Sequence, residues 1–196
     1  MRKVIAILVL FIVVFFDAHA GEHITNIGGC TPISKNNPKR QLIESDVANF
    51  VRKVPESASV RFEVQNCKDD GIALEGGVIV ISSRISRLTP PLRFFIIGHE
   101  YGHLALSHKG KTDARTGQPL LKSMGAKSME EFTELAQRDE FEADAFAIRR
   151  MYINGMNGEE VALGLESFGG ENTTTHPSSA RRAQAIRGVL LSFSHQ

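Results

Sequence analysis

Residues 89–107 read TPPLRFFIIGHEYGHLALS, and this stretch decides the fold. Thr89-Pro90-Pro91 is a helix start, with Thr89 as cap and Pro90 in the first turn, where a missing N–H costs nothing. The helix is expected to run through Leu106 or Ser107 and to stop near Gly110. Phe95, Ile96, His99, His103 and Leu106 share one face, while Phe94, Ile97, Tyr101 and Leu104 share another. A helix apolar on most sides is a buried helix, and buried histidines need partners. His99 and His103 stand one turn apart on the same face. Both imidazoles can therefore reach one zinc ion, whose nitrogen ligands sit at about 2.0–2.1 Å. Glu100 projects about 100° round the helix, where it addresses a zinc-activated water without ligating the metal, the geometry of a general base.

A catalytic zinc with one open position needs a third protein ligand, and the downstream chain supplies carboxylates. Lys109–Lys127, with Gly, Pro, Thr and scattered charge, is expected to be a long surface loop. Ser128 and Glu131 have the spacing of a capping box and start a helix reaching roughly Met151, with Phe132, Leu135, Ala136, Ala143, Phe146 and Ala147 on its core side. Within it lies Asp139-Glu140-Phe141-Glu142-Ala143-Asp144. Glu140 and Asp144 fall on the side of Ala136, Ala143 and Ala147, whose small size lets this helix approach His99 and His103. On this geometry Glu140 binds zinc while Asp144 accepts a hydrogen bond from a ligand histidine and fixes its tautomer. On spacing alone Glu142 and Asp139 stand beside Glu140 as alternatives. Two shorter helices are expected near Glu159–Ser167 and Ala180–Leu191. Between them, Thr175-His176-Pro177 is by itself a turn, capped by Ser178 or Ser179. His23, His108 and His195 lie in segments without evident partners and receive no role.

Upstream, Gly21–Arg40 is rich in Gly, Asn, Pro and Lys and is expected to be irregular. A short amphipathic helix is expected from Ser45 to Pro55, and a strand over Val60–Val64. Ile72-Ala73-Leu74 and Val78-Ile79-Val80-Ile81 flank Gly76-Gly77 as a second, partly buried strand with a glycine break. The Val78–Ile81 part is expected at the sheet edge beside the cleft, where an extended peptide pairs with it.

The chain begins with Arg2-Lys3, an unbroken apolar run over Val4–Phe16, and Ala18-His19-Ala20 before Gly21. This is the layout of a cleaved secretory signal over residues 1–20; thirteen apolar residues fall short of the roughly 20 that span a membrane. The whole sequence carries 23 basic and 22 acidic side chains, and losing Arg2, Lys3 and Asp17 leaves the mature chain formally neutral, without a footprint for nucleic acid or anionic membrane. Residues 21–196 are long enough for one domain. Cys30 and Cys67 form a permissible disulfide after export, which would tether the N-terminal segment; the alternative is two buried thiols.

Four blocks over Ile72–Arg187 resemble the gluzincin metallopeptidases related to the CAAX prenyl endopeptidases and the HtpX heat-shock protease. Ala73-Leu74-Glu75-Gly76-Gly77-Val78-Ile79-Val80 is similar to the strand preceding the catalytic helix in that family, although Glu75 stands where proline is common. Ile97-Gly98-His99-Glu100-Tyr101-Gly102-His103 resembles the catalytic helix. Glu140-Phe141-Glu142-Ala143-Asp144 resembles the Glu-x-x-x-Asp element, which implies Glu140 as metal ligand with Asp144 behind it. Thr175-His176-Pro177 with Arg182 is similar to a C-terminal element whose His and Arg assist the transition state, which implies His176 and Arg182 as donors to developing negative charge. The membrane helices of the best-known relatives have no counterpart, so the likeness is to small exported members.

The expectation is an α+β zincin-like metallopeptidase domain, mostly helical with a small β-sheet. One zinc ion is held by His99, His103 and Glu140, with Glu100 as base. The substrate is a peptide or unfolded protein, and the mature form, periplasmic or secreted, does not span a membrane. The competing expectations are a zinc-retaining binding or chaperone-like module, its site masked by the 109–127 loop or by the N-terminal segment, and a zinc hydrolase of non-peptide amides.

Overall fold

The first helix begins earlier than its apolar spacing suggests. In the computed structural model, which describes residues 29–74, 76–111 and 118–193, α1 spans Pro38–Lys53. Asn37 caps it by accepting from the Lys39 N–H at 2.9 Å. Its first turn is polar because only Ile43 and Phe50 on this helix are buried, so the apolar pattern marks the buried end alone. A 3-10 turn over Pro55–Ser59 leads into the sheet. The expected signal over residues 1–20 lies outside the described residues.

The sheet has four strands, β1 (Cys30–Pro32), β2 (Arg61–Cys67), β3 (Gly71–Leu74) and β4 (Val78–Ser82), in the order β1-β2-β4-β3. β2 and β4 are parallel, and β3 and β4 are an antiparallel hairpin. The expectation of a single glycine-broken strand with Val78–Ile81 at the edge is corrected here. Gly76 and Gly77 have φ of +90° and +78°, so the pair turns the chain rather than interrupting a strand. β4 is therefore interior, bonded on both sides, and β3 is the edge. The unbroken apolar run of β4 carries the same message: every residue of the strand is buried, the mark of a strand covered on both faces. Ile79 and Ile81 join the main core, while Val78 and Val80 pack with Cys30 and Cys67 on the other face. Cys30 and Cys67 form a disulfide and sit directly opposite each other between β1 and β2, so the expected irregular lead-in contains a short, cross-linked strand.

α2 spans Pro90–Ala105. Thr89 is at its cap in extended conformation but makes no side-chain capping bond. The loop after it holds one short helical turn, α3 (Leu121–Met124). α4 (Met129–Ile153) starts where Ser128 Oγ accepts from the Glu131 N–H at 3.1 Å. α5 (Glu159–Phe168) and α6 (Ser179–Phe193) close the domain. The main core joins Phe50, Phe94, Phe95, Ile97, Ile148, Met151, Val161 and Ile186 from five helices to Ile79 and Ile81 of the sheet. This is an α+β, zincin-like arrangement in which a buried helix lies between a small sheet and a second long helix. Among the described residues no helix is long and apolar enough to cross a membrane.

Candidate metal centre

Two glycines bring α2 and α4 together. A Cβ on Gly98 would lie 3.3 Å from the Ala147 Cβ, and one on Gly102 would lie 3.2 Å from the Ala143 Cα and carbonyl oxygen. Such close approach sets the residues beside the glycines, His99 and His103, against those one turn before the alanines, Glu140 and Asp144. His99 Nε2 and His103 Nε2 are 3.1 Å apart. Glu140 Oε2 is 3.6 Å from His99 Nε2, and Oε1 is 3.3 Å from His103 Nε2. A tetrahedral ion with ligands at about 2.0–2.1 Å holds its ligand atoms roughly 3.3–3.4 Å from one another; one ligand atom from each of the three residues lies within 4.8 Å of the others, close enough for a single ion.

The donor set makes the same demand. His99 Nδ1 lies 2.8 Å from Asp144 Oδ1, and Asp144 is held below the usual carboxylate range because the Arg182 guanidinium and the His99 bond outweigh its burial. A charged Asp144 accepts a hydrogen bond from the Nδ1–H, and a neutral His99 ring then turns its Nε2 lone pair toward His103. Two lone pairs meeting at this range require a cation or a shared proton between them. Burial opposes charge on His99, yet the Asp144 bond and the Glu140 and Asp144 charges outweigh it and raise its pKa. His103 is lowered to about 4 by burial, reinforced by the charge of His99, against the pull of Glu140. Two ring nitrogens beside a buried, charged carboxylate are a donor set that suits a divalent cation.

Glu140 is 1% exposed. Burial favours its neutral form, but the close contacts with His103 and His176 and the charges of His99 and Lys111 hold its pKa well below the ordinary value. His176 Nδ1 is 2.8 Å from Glu140 Oε2, and the Lys111 ammonium donates to Oε1. His176 is presented by a tight turn in which its N–H donates to Thr173 Oγ1 and Thr173 N–H donates to the His176 carbonyl, both at 2.9 Å. Gln137 ties that turn to α4 by donating to the Thr173 carbonyl at 2.8 Å. Arg182 grips Asp144 with two bonds, Nε to Oδ2 at 2.8 Å and Nη2 to Oδ1 at 2.6 Å. Glu100 is buried against the edge strand, where the absent side chain of Gly71 makes its room: a Cβ there would come within 2.6 Å of the Glu100 Cγ. Burial, chiefly, raises the Glu100 pKa, with Glu140 reinforcing it and the charge of His99 opposing; a raised carboxylate is the better proton acceptor near neutral pH.

The structure thus brings together His99, Glu100, His103, Glu140, Asp144, His176 and Arg182. Asp139 and Glu142 group with His108 instead, and of these three carboxylates Glu140 reaches the histidine pair. Two contacts escaped the sequence. Lys111 sits in a loop whose path has no periodicity, and no pattern signals its contact with Glu140. His108 has no evident partner in the sequence, yet it lies against His103; its signal is its place immediately beyond the helix end.

A glutamate-assisted histidine pair on a buried helix, completed by a glutamate from a second helix, defines the zincin-like class of metallopeptidases. The chain belongs to peptidase family M48, whose family model matches residues 47–190, and it is accordingly a peptidase of the hydrolase class. The match runs from α1 into α6 and includes every site residue named above. No curated protein and no solved structure matches the chain.

Proposed function

We propose that this chain is an exported, zinc-dependent metalloendopeptidase. The observation that carries the proposal is the convergence of His99 Nε2, His103 Nε2 and the Glu140 carboxylate at 3.1–3.6 Å from one another, with Glu100 beside them on the same helix. His99, His103 and Glu140 would hold one zinc ion. Zinc, when bound, polarises a peptide carbonyl and makes a neighbouring water easier to deprotonate. Glu100 takes that proton and delivers it to the leaving amine. Asp144, clamped by Arg182, keeps His99 in the tautomer that presents Nε2. His176 fixes Glu140, and its side chain, 58% exposed, is also open to a substrate carbonyl. Arg182, half-buried and committed to Asp144, supports the ligand set. The edge of β3, which no described strand pairs and which lies against α2 next to Glu100, is the place for an extended substrate strand.

Export rests on the Arg2–Ala20 pattern and fits the Cys30–Cys67 disulfide, a bond that persists in oxidising compartments; the destination is the periplasm or the medium. The substrate is peptide, and a neutral mature chain gives no reason to expect nucleic acid.

The test uses mature protein, casein and a quenched peptide library. Wild type should cleave, a chelator should stop cleavage, and zinc should restore it. Glu100→Gln should keep one zinc per chain and lose activity by at least about 10³-fold, within the range for a proton-transfer group together with its electrostatic role. One zinc per chain with no turnover on any peptide would turn the reading toward a binding module. Export is checked separately by the N-terminal sequence of the cell-made protein, which should begin at Gly21.

A further inference from the structure

His108 is not among the groups that hold metal or substrate in the proposal above, yet the chain turns back to place it. α2 ends in a paired reversal: the Ser107 N–H donates to the Leu104 carbonyl at 3.0 Å and the His108 N–H to the His103 carbonyl at 2.9 Å. This hydrogen-bond pattern needs a left-handed residue at the position after the cap, commonly glycine. Here it is Ser107, with φ of +57°, the one non-glycine with positive φ among the described residues, at a cost of about 1–2 kcal/mol. The reversal returns the His108 side chain over His103, with ring centroids 5.1 Å apart. The His108 side chain is only 6% exposed although it follows the helix end.

The two Nδ1 atoms lie 2.9 Å apart, so one donates and the other accepts. His103 must present a bare Nε2 to the metal, and a neutral imidazole then carries its proton on Nδ1. His103 Nδ1 therefore donates and His108 Nδ1 accepts. His108 in turn carries its proton on Nε2, which lies 3.3 Å from Glu142 Oε2, a carboxylate ready to receive it. Each step fixes the next. We propose that His108 is a positioning residue for the metal centre: it accepts the Nδ1 proton of His103, locks that ring in the ligating tautomer, and is itself oriented by Glu142. His99 has a buried carboxylate behind it and His103 has a neutral ring, so the two ligand histidines are supported by different chemistry. This inference rests on the zinc reading of the site.

His108, Asp139 and Glu142 also place donor atoms within 4.8 Å of one another, which makes a second cation the competing account. A cation on His108 Nε2 would move its proton to Nδ1, facing the Nδ1 proton of His103, so the two accounts require opposite tautomers.

The experiment compares wild type, His108→Leu and His108→Asn. Zinc affinity is read by competition with a chromophoric chelator, the cobalt-substituted protein by its visible spectrum, and the metal-free fold by thermal unfolding. His108→Leu should bind zinc about 10–100-fold more weakly and shift the cobalt bands. His108→Asn, whose side-chain oxygen can accept in place of Nδ1, should recover most of both, while the metal-free unfolding midpoints of the two variants stay alike. Equal zinc affinity in wild type and His108→Leu would overturn the role of His108 and leave the zinc site intact. So would two zinc ions per wild-type chain with one lost in His108→Leu. No zinc in wild type would overturn the underlying site together with the inference. Should His108→Leu not fold, ¹⁵N ring shifts of the zinc-loaded wild type decide: a proton on His108 Nε2 supports the role, and one on Nδ1 refutes it.

Discussion

Gly71 shows how much of the site depends on a side chain that is missing. Any Cβ there would meet three atoms of the Glu100 side chain at 2.6–2.9 Å, and Glu100 is buried, so the carboxylate has little room to yield. Gly71→Ala should move the proposed base without touching a metal ligand. A displacement on the 1 Å scale costs about 10²-fold in rate, so peptide turnover should fall by roughly that factor while zinc stoichiometry stays at the wild-type value. Turnover within about twofold of wild type would show that Glu100 is not confined as the contact implies. His99, Glu100 and His103 are legible in the sequence because helical spacing is a local property. By spacing Glu140 is one of three neighbouring carboxylates and the family resemblance singles it out, while Gly71 and His108 are not legible, because their contacts depend on a hairpin and a helix end that local pattern does not place.

Among elements, the packing of α2 on α4 decides whether the ligands meet. The alanines of α4 announce a close approach in the sequence, and Gly98 and Gly102 complete it from α2. Gly102→Ala is the sharper test of the two positions. Its Cβ would press at 3.2 Å on the backbone of Ala143, which cannot rotate away as a side chain does. The change gains about 1 kcal/mol of helix propensity and costs about 1–3 kcal/mol in overpacking, so stability should fall by no more than about 2 kcal/mol in denaturant titration. Zinc affinity should fall more clearly, since the displaced helix carries Glu140. An unchanged zinc affinity would mean that Glu140 follows the helix shift or does not ligate. The same scale explains what the sequence reading of the elements left out. β3 and β4 were one strand to a pattern of apolar residues because Gly76-Gly77 signals a break without saying whether the chain continues or reverses. The sequence marks α1 only from Ser45 onward, around Phe50, and misses the buried Ile43 before it, since a single apolar residue in a polar first half makes no stripe.

At the scale of the molecule, two apolar clusters lie on opposite faces of one sheet. The larger joins five helices to Ile79 and Ile81; the smaller is Cys30, Cys67, Val78 and Val80 with Ile72 and Leu74 against it. The candidate metal centre is built by α2, α4 and the turn at Thr173–His176, none of which β1 touches in its strand pairing, and the two helices belong to the larger cluster. β1 has three residues and pairs with β2 alone, too little to hold a strand unaided, so the Cys30–Cys67 bond is what keeps it in place. Closing a span of 37 residues restricts the unfolded chain by about 3–4 kcal/mol in the loop-entropy model. The double variant Cys30→Ser with Cys67→Ser should lose about that much in denaturant titration, an appreciable part of the stability of a single domain. Measured well below its new unfolding midpoint, it should still bind one zinc per chain with wild-type affinity. Loss of zinc from protein that is still folded would show instead that the strain of releasing β1 travels through β2 and β4 to the edge strand against Glu100, making the sheet part of the metal centre rather than its support.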